Sequence, residues 1–274
     1  MRQLKSQVIA STNQESNKQT FSEAGLKRLF SQMSDPYIFN QGHDESLPPG
    51  GKGYNKRLKK LSNGNLAIII DVDLYVETLE IPVGGFSLST RHKEMRDASG
   101  RAPSISVYYD EELLGDEFGN KIVACSDQET SISAISKVDR DAGATAIIVI
   151  TFVSTAICAG FFQELGREGF RKLRELLIEN GSVIRGGATG AEPGYLFKVK
   201  YPTDSGDVDV LVRCSQSQLS PDSDKLPDLD SLFEYLDEML GQSKIYRVVI
   251  ELTDEPPYWG IKSFVDNNGK LIDL

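Results

Sequence analysis

The chain has 274 residues, 39% of them hydrophobic and 26% charged, and its 40 acidic and 30 basic side chains give a formal net charge of −10. That length holds one large domain or two ordinary ones, and the composition excludes both disorder throughout and a polytopic membrane protein. The negative balance disfavours general nucleic-acid binding without a local basic patch, and three widely spaced cysteines, Cys125, Cys158 and Cys214, form neither a disulfide framework nor a zinc knuckle and fit a reducing compartment.

Residues 1–20 are polar, rich in Gln, Asn, Ser and Lys, and lack the apolar core of a secretory signal; they predict a flexible tail on a chain not secreted by a signal peptide. The capping-box spacing Thr20-Phe21-Ser22-Glu23 then opens a predicted helix through Leu26, Leu29, Phe30 and Met33, ended by Asp35-Pro36. From Asn40 to Leu61 the chain turns to Gly, Pro and Lys, including Pro48-Pro49-Gly50-Gly51, and predicts a loop or linker. Its basic cluster Lys52, Lys56, Arg57, Lys59 and Lys60, with Tyr54 among them, is a candidate contact for an anionic surface, although such runs are usually solvated loop. Gly50-Gly51-Lys52-Gly53 has the composition of a phosphate loop without the Walker spacing.

Leu66 to Ile81 is the clearest strand, because Ile68, Ile70, Val72, Leu74 and Val76 alternate with Asp71, Asp73, Tyr75 and Glu77. After a turn at Gly84-Gly85, further strands are predicted at Phe86 to Ser89, Ser104 to Tyr109 and Lys121 to Cys125, with Arg91 to Arg101 as an exposed basic stretch.

Ala142 to Gln163 is a run of 22 residues without a charge. As a helix it would extend ~33 Å, enough to cross a hydrocarbon core of ~30 Å. Ile147 and Ile150 supply apolar surface, and Ala156 and Gly160 stand four apart, a spacing that allows close helix packing in lipid. The excess of Arg167, Arg171, Lys172 and Arg174 over Lys137 and Arg140 would place the C-terminal part in the cytoplasm. The alternative is a buried soluble element, either a helix or a strand at Ile147 to Val153 covered on both faces, and periodicity does not separate the two.

An amphipathic helix follows from Glu164 to Asn180, stopping at Asn180-Gly181. Then come a strand Tyr195 to Tyr201, a turn, a strand Val208 to Arg213, a helix Asp228 to Leu240, a strand Ile245 to Leu252 and a hairpin from Tyr258 to Gly269. Together the elements predict an α+β chain. It has a tail over 1–20, a β-rich N-terminal α/β lobe over 21–138, a long apolar helix continuing into an amphipathic helix over 142–180, and a small C-terminal ββαββ lobe over 195–274.

Two D-x-D pairs, Asp71 with Asp73 and Asp207 with Asp209, each put two carboxylates on one strand face, the spacing that holds a divalent metal for phosphoryl or nucleotidyl transfer. The second pair, with Gly181-Ser182 upstream, resembles nucleotidyltransferases over about thirty residues. In that family the Gly-Ser pair lies closer to its carboxylates. The plainer reading is that both pairs are the wet side of amphipathic strands. His43 and His92 lack ligand partners at zinc spacing, no G-x-S-x-G elbow is present, and Pro256-Pro257-Tyr258-Trp259 groups aromatic area suited to plugging a core.

The leading expectation is a non-enzymatic, membrane-associated regulatory, sensor or effector-like protein with a single marginal hydrophobic helix and an unidentified protein partner. The first alternative is a soluble cytoplasmic binding protein whose apolar segment is core. The second is a divalent-metal-dependent transferase. No cofactor and no small-molecule substrate is indicated.

Overall fold

The computed structural model describes residues 1–13, 21–41, 45–75, 90–138, 147–152, 168–184, 194–203, 206–215, 218, 234–236, 238–239, 245–253 and 259–272. Strand accounts for 52% and helix for 22% of the described residues, a mixed α/β structure with sheet dominant. It divides into two units, the first built on Met1–Ser89 with Asn267–Ile272, the second on Thr90–Asp139 and Gly143–Asp266.

In the first unit β1 (Arg2–Ser11), β2 (Tyr37–Phe39), β3 (Gly51–Lys60) and β4 (Leu66–Leu74) form an antiparallel sheet in the order β1-β4-β3-β2. The alternation seen in sequence sends Ile68, Ile70, Val72 and Leu74 to one face, where they meet Leu26, Leu29 and Phe30 from α1 (Glu23–Gln32) and Met33, the residue that caps it. Ser22, two residues inside the expected box, caps α1 by accepting the Gly25 N–H at 3.1 Å on its Oγ. At the other end Lys56 donates its Nζ to the Phe30 carbonyl at 3.1 Å and also to the Met33 carbonyl, closing the helix with a cation where the dipole is negative.

Two sequence expectations are corrected here. The polar start, expected as a tail, is over Arg2–Ser11 an edge strand; bulges at Leu4/Gln7 and Val8/Ala10 break the alternation that would have marked it. The expected loop is over Gly51–Lys60 a strand lying between β4 and β2. Its glycines are there because the space is taken: a Cβ on Gly51 would lie 2.3 Å from the Asp73 carbonyl oxygen, and one on Gly53 2.6 Å from Ile70 Cδ1.

The second unit holds β5 (Thr90–Met95), β6 (Ile105–Asp110), α2 (Glu111–Leu114), α3 (Asp116–Ala124), β7 (Ile132–Val138), β8 (Ile147–Phe152), α4 (Glu168–Ile184), β9 (Gly194–Thr203), β10 (Gly206–Ser215), β11 (Ile245–Leu252) and β12 (Trp259–Asp266). These eight strands lie in one sheet in the order β12-β11-β10-β9-β8-β6-β7-β5. Pairs β6/β7, β8/β9 and β10/β11 are parallel, and antiparallel contacts join β6 to β8 and β9 to β10. Parallel neighbours need a crossover, and α2 with α3 and then α4 supply the first two. Asp127 braces α4 by accepting the Gly169 N–H, and a Cβ on Gly169 would lie 2.9 Å from Thr130 Cβ, so only glycine admits that approach.

The expected transmembrane helix is the largest correction. Ile147–Phe152 is a strand inside the sheet, paired with β6 on one side and β9 on the other. Ile148, Val149, Ile150 and Phe152 are all buried, so the apolar run answers burial on both faces of a sheet. Among the described residues no helix is long and apolar enough to cross a membrane. The single hydrophobic helix expected at Ala142 to Gln163 is therefore withdrawn; Ala156, Gly160 and Cys158 lie outside the described residues, as does the side chain of Ile147.

Smaller differences have local causes. Lys121 to Cys125, expected as a strand, belongs to α3 and the residue after it; its buried residues are Phe118, Gly119 and Ile122, with Phe118 and Ile122 four apart on one side. Arg91 to Met95, expected as exposed polar chain, is edge strand β5. The strand at Phe86 to Ser89, the Gly84-Gly85 turn, His43 and most of Asp228 to Leu240 lie outside the described residues.

Candidate functional site

A polar network lies in the first unit, on the sheet face opposite α1, and it is centred on Asp71. Bulges in both neighbouring strands aim at this carboxylate. Ser6 in β1 and Asn55 in β3 take the left-handed conformation, with φ of 55° and 53°, and the pairing of each strand with β4 shifts beside them. The Ser6 N–H, turned out of the ladder by its bulge, donates to Asp71 Oδ1 at 2.9 Å. Arg57 Nη2 donates to the same oxygen at 3.1 Å and to Ser6 Oγ at 2.8 Å, and Asn55 Nδ2 donates to Oδ2 at 3.2 Å. Lys5 Nζ stands 3.9 Å from Oδ2. Asp71 thus ties the central strand to both of its neighbours through side chains as well as backbone.

The second carboxylate is held by a short relay. Lys5 Nζ donates to Tyr54 Oη at 3.0 Å, which donates to Asp73 Oδ1 at 3.2 Å. The same ammonium sits over the Tyr54 ring, 5.1 Å from its centroid. Both aspartates are only 7% exposed, against the expectation of a wet face, because the side chains of the flanking strands cover them.

This geometry sets the titration of Asp71. The Ser6 N–H foremost, then the Arg57 and Asn55 donors, stabilise the carboxylate and lower its pKa from 3.8 to about 2. A depressed carboxyl contributes stability that is fully present above its unfolded pKa and is lost as pH falls through the folded one. Acid should therefore weaken the first unit between about pH 4 and 2, and Asp71→Asn should remove this part of the pH dependence. Denaturant midpoints measured from pH 2 to 6 check it; an unchanged slope in the variant means that Asp71 does not fasten the sheet.

The expected site residues are partly gathered and partly dispersed. Asp71 and Asp73 share the network with Arg57. Lys52 and Lys59 lie on the same face of β3, opposite Asp73 and Ala67 in register, and neither has a partner among the described residues. Lys56 points to the α1 side, where its contacts lie, and Lys60 alternates to that side too. The five-residue basic cluster is thus divided between two faces by the strand that carries it.

Asp207 and Asp209 lie in β10 of the second unit. Asp207 is exposed, whereas Asp209 is buried and paired with Lys198 at 2.9 Å and Lys200 at 4.0 Å. Gly181-Ser182 falls inside α4 and not after it, a departure from the nucleotidyltransferase pattern. Among the described residues no three of His, Cys, Asp or Glu stand together as a metal site. Capture of a divalent ion by Asp71 or Asp209 would first have to break the bonds just described.

Other reactive groups are held in their protonated forms. Burial raises the Cys125 thiol to about 11 and raises Cys214 further, and it raises the Tyr109 phenol to about 12, with Glu111 and Asp116 adding to the effect.

Sequence reading missed Lys5, Ser6, Tyr54 and Asn55 as members of the network. The one available signal was Asn55, a residue tolerant of positive φ, set in a run of basic residues. Comparison with family models, with curated proteins and with solved structures finds no match.

Proposed function

We propose that this chain is a non-enzymatic binding protein, and that the face of its N-terminal sheet opposite α1 is the contact surface for a protein partner. The observation that carries the reading is the Asp71 network. A carboxylate that takes three hydrogen bonds from two flanking strands is a fastener, and what it fastens is a sheet face displaying Lys52 and Lys59. Asp209 is likewise occupied by two lysines, and the Cys125 and Cys214 thiols are kept from the thiolate form by burial. Burial of β8 supports the view that the apolar segment contributes core. In this reading the ββαββ arrangement of the C-terminal part, with β9, β10, β11 and β12 as its strands, is scaffold.

The test is capture from the host's own lysate by the full chain and by a Lys52→Glu/Lys59→Glu variant, followed by reconstitution from purified components. A protein that binds the full chain in fixed stoichiometry and is lost with the variant is the expected result. A purified partner that binds both forms equally moves the contact surface elsewhere.

A further inference from the structure

We infer that the partner presents an acidic, extended polypeptide segment to β3 and its neighbours; this rests on the reading just given and names the chemistry of the occupant. Charge is distributed unevenly along the chain. Residues 1–89 hold ten basic and nine acidic side chains, and residues 90–274 hold twenty and thirty-one, so the first part escapes the negative charge of the whole. Among the described residues of the face opposite α1, Asp71 and Asp73 are buried and bonded, while Lys59 and Lys5 are exposed and Lys52 is half-buried. The outward charge is positive.

The way these cations are held selects among anionic occupants. Arg57 keeps a side chain that is 42% exposed but lays its guanidinium along the sheet, with Nη1 on the Asn55 carbonyl at 3.3 Å and Nη2 on Ser6 and Asp71. Its two-pronged fork, the group best suited to phosphate, is thus committed. Tyr54 has its hydroxyl on Asp73 and one face of its ring under the Lys5 ammonium, so a stacking base would have to displace that cation or use the other face of a single half-buried ring, whereas single-stranded nucleic acid is held by successive aromatic platforms. For a lipid surface the face offers, among the described residues, one exposed large apolar side chain, Val8 at 48%, which is little to insert. What stays available is a pair of lysine ammoniums on one strand, point charges that suit carboxylates in any orientation. Lys52 and Lys59 are separated by about 20 Å of strand, the reach of an extended segment of six or seven residues with side chains of alternate residues facing the sheet.

The experiment titrates the full chain, labelled with nitrogen-15, with a deca-glutamate peptide, an oligouridylate of ten nucleotides, and phosphatidylserine vesicles. Deca-glutamate is expected to shift amide signals of β3 and β1, with binding weakened about tenfold in Lys52→Gln/Lys59→Gln and abolished when salt rises from about 20 to about 200 mM. Di-glutamate is expected not to bind. Preference for oligouridylate or for vesicles overturns the assignment, as does deca-glutamate binding that the variant leaves intact. If the captured partner binds through this face but deca-glutamate does not, the acidic-segment inference alone fails. If neither depends on Lys52 and Lys59, the binding surface fails with it.

Discussion

Replacing Ile150 with alanine is expected to cost about 3 kcal/mol of stability, and replacing its neighbour Thr151 with alanine less than about 1 kcal/mol. Ile150 is fully buried, while Thr151 points to the other face and is half-buried. Opposite faces for adjacent residues follow from strand geometry; on a helix the two would be only a part-turn apart and would share much of their surroundings. The difference between the variants therefore reports the secondary structure of the segment as well as its burial. In a lipid-facing helix, Ile150→Ala would exchange one apolar surface for a smaller one, with little effect on folding. Trp259, the single tryptophan, lies in β12 of the same sheet, so its fluorescence in a denaturant titration follows the relevant unit. Equal, small shifts in midpoint for the two variants would return the segment to a helix.

Where a single periodicity governed a segment, the sequence was legible. β4 alternates residue by residue, and α1 has its apolar residues at helical spacing behind a capping serine. Both were found because one face of each meets core and the other does not. β8 has no such asymmetry: with both faces covered, Ile147 to Phe152 is uniformly apolar and so matches either a helix or a strand. β1 and β3 failed for a different reason. Each carries a bulge beside Asp71, at Ser6 and at Asn55, which shifts the alternation partway along, and β3 uses Gly51 and Gly53 where neighbouring atoms leave no room for a side chain. The candidate site was legible to the same degree. Asp71, Asp73 and the basic residues are visible as charges, but that Arg57 reaches Asp71 while Lys56 closes a helix depends on which side of a bulge each one stands.

Gly51→Ala is the second large expected effect, a loss of about 3 kcal/mol. The added Cβ would stand 2.3 Å from the Asp73 carbonyl oxygen and 3.2 Å from Leu74 Cα. Both atoms are backbone of β4, so relief requires β3 and β4 to separate locally. Gly64 makes the control: its φ of +86° makes a side chain strained, but nothing lies within 4 Å of the added atom, and Gly64→Ala should cost only about 1 kcal/mol. Separation of β3 from β4 has a consequence for the site, because β3 carries Tyr54, Asn55 and Arg57, the partners of Asp73 and Asp71. Two of the three main donors that hold Asp71 at about 2 would be displaced, while the Ser6 N–H on β1 would remain. The Asp71 carboxyl, followed by carbon-13 NMR as pH is lowered, should then titrate closer to the ordinary 3.8 in Gly51→Ala and unchanged in Gly64→Ala. A Gly51→Ala chain that keeps both its stability and its depressed Asp71 would mean that the β3–β4 approach is looser than the Asp71 network requires.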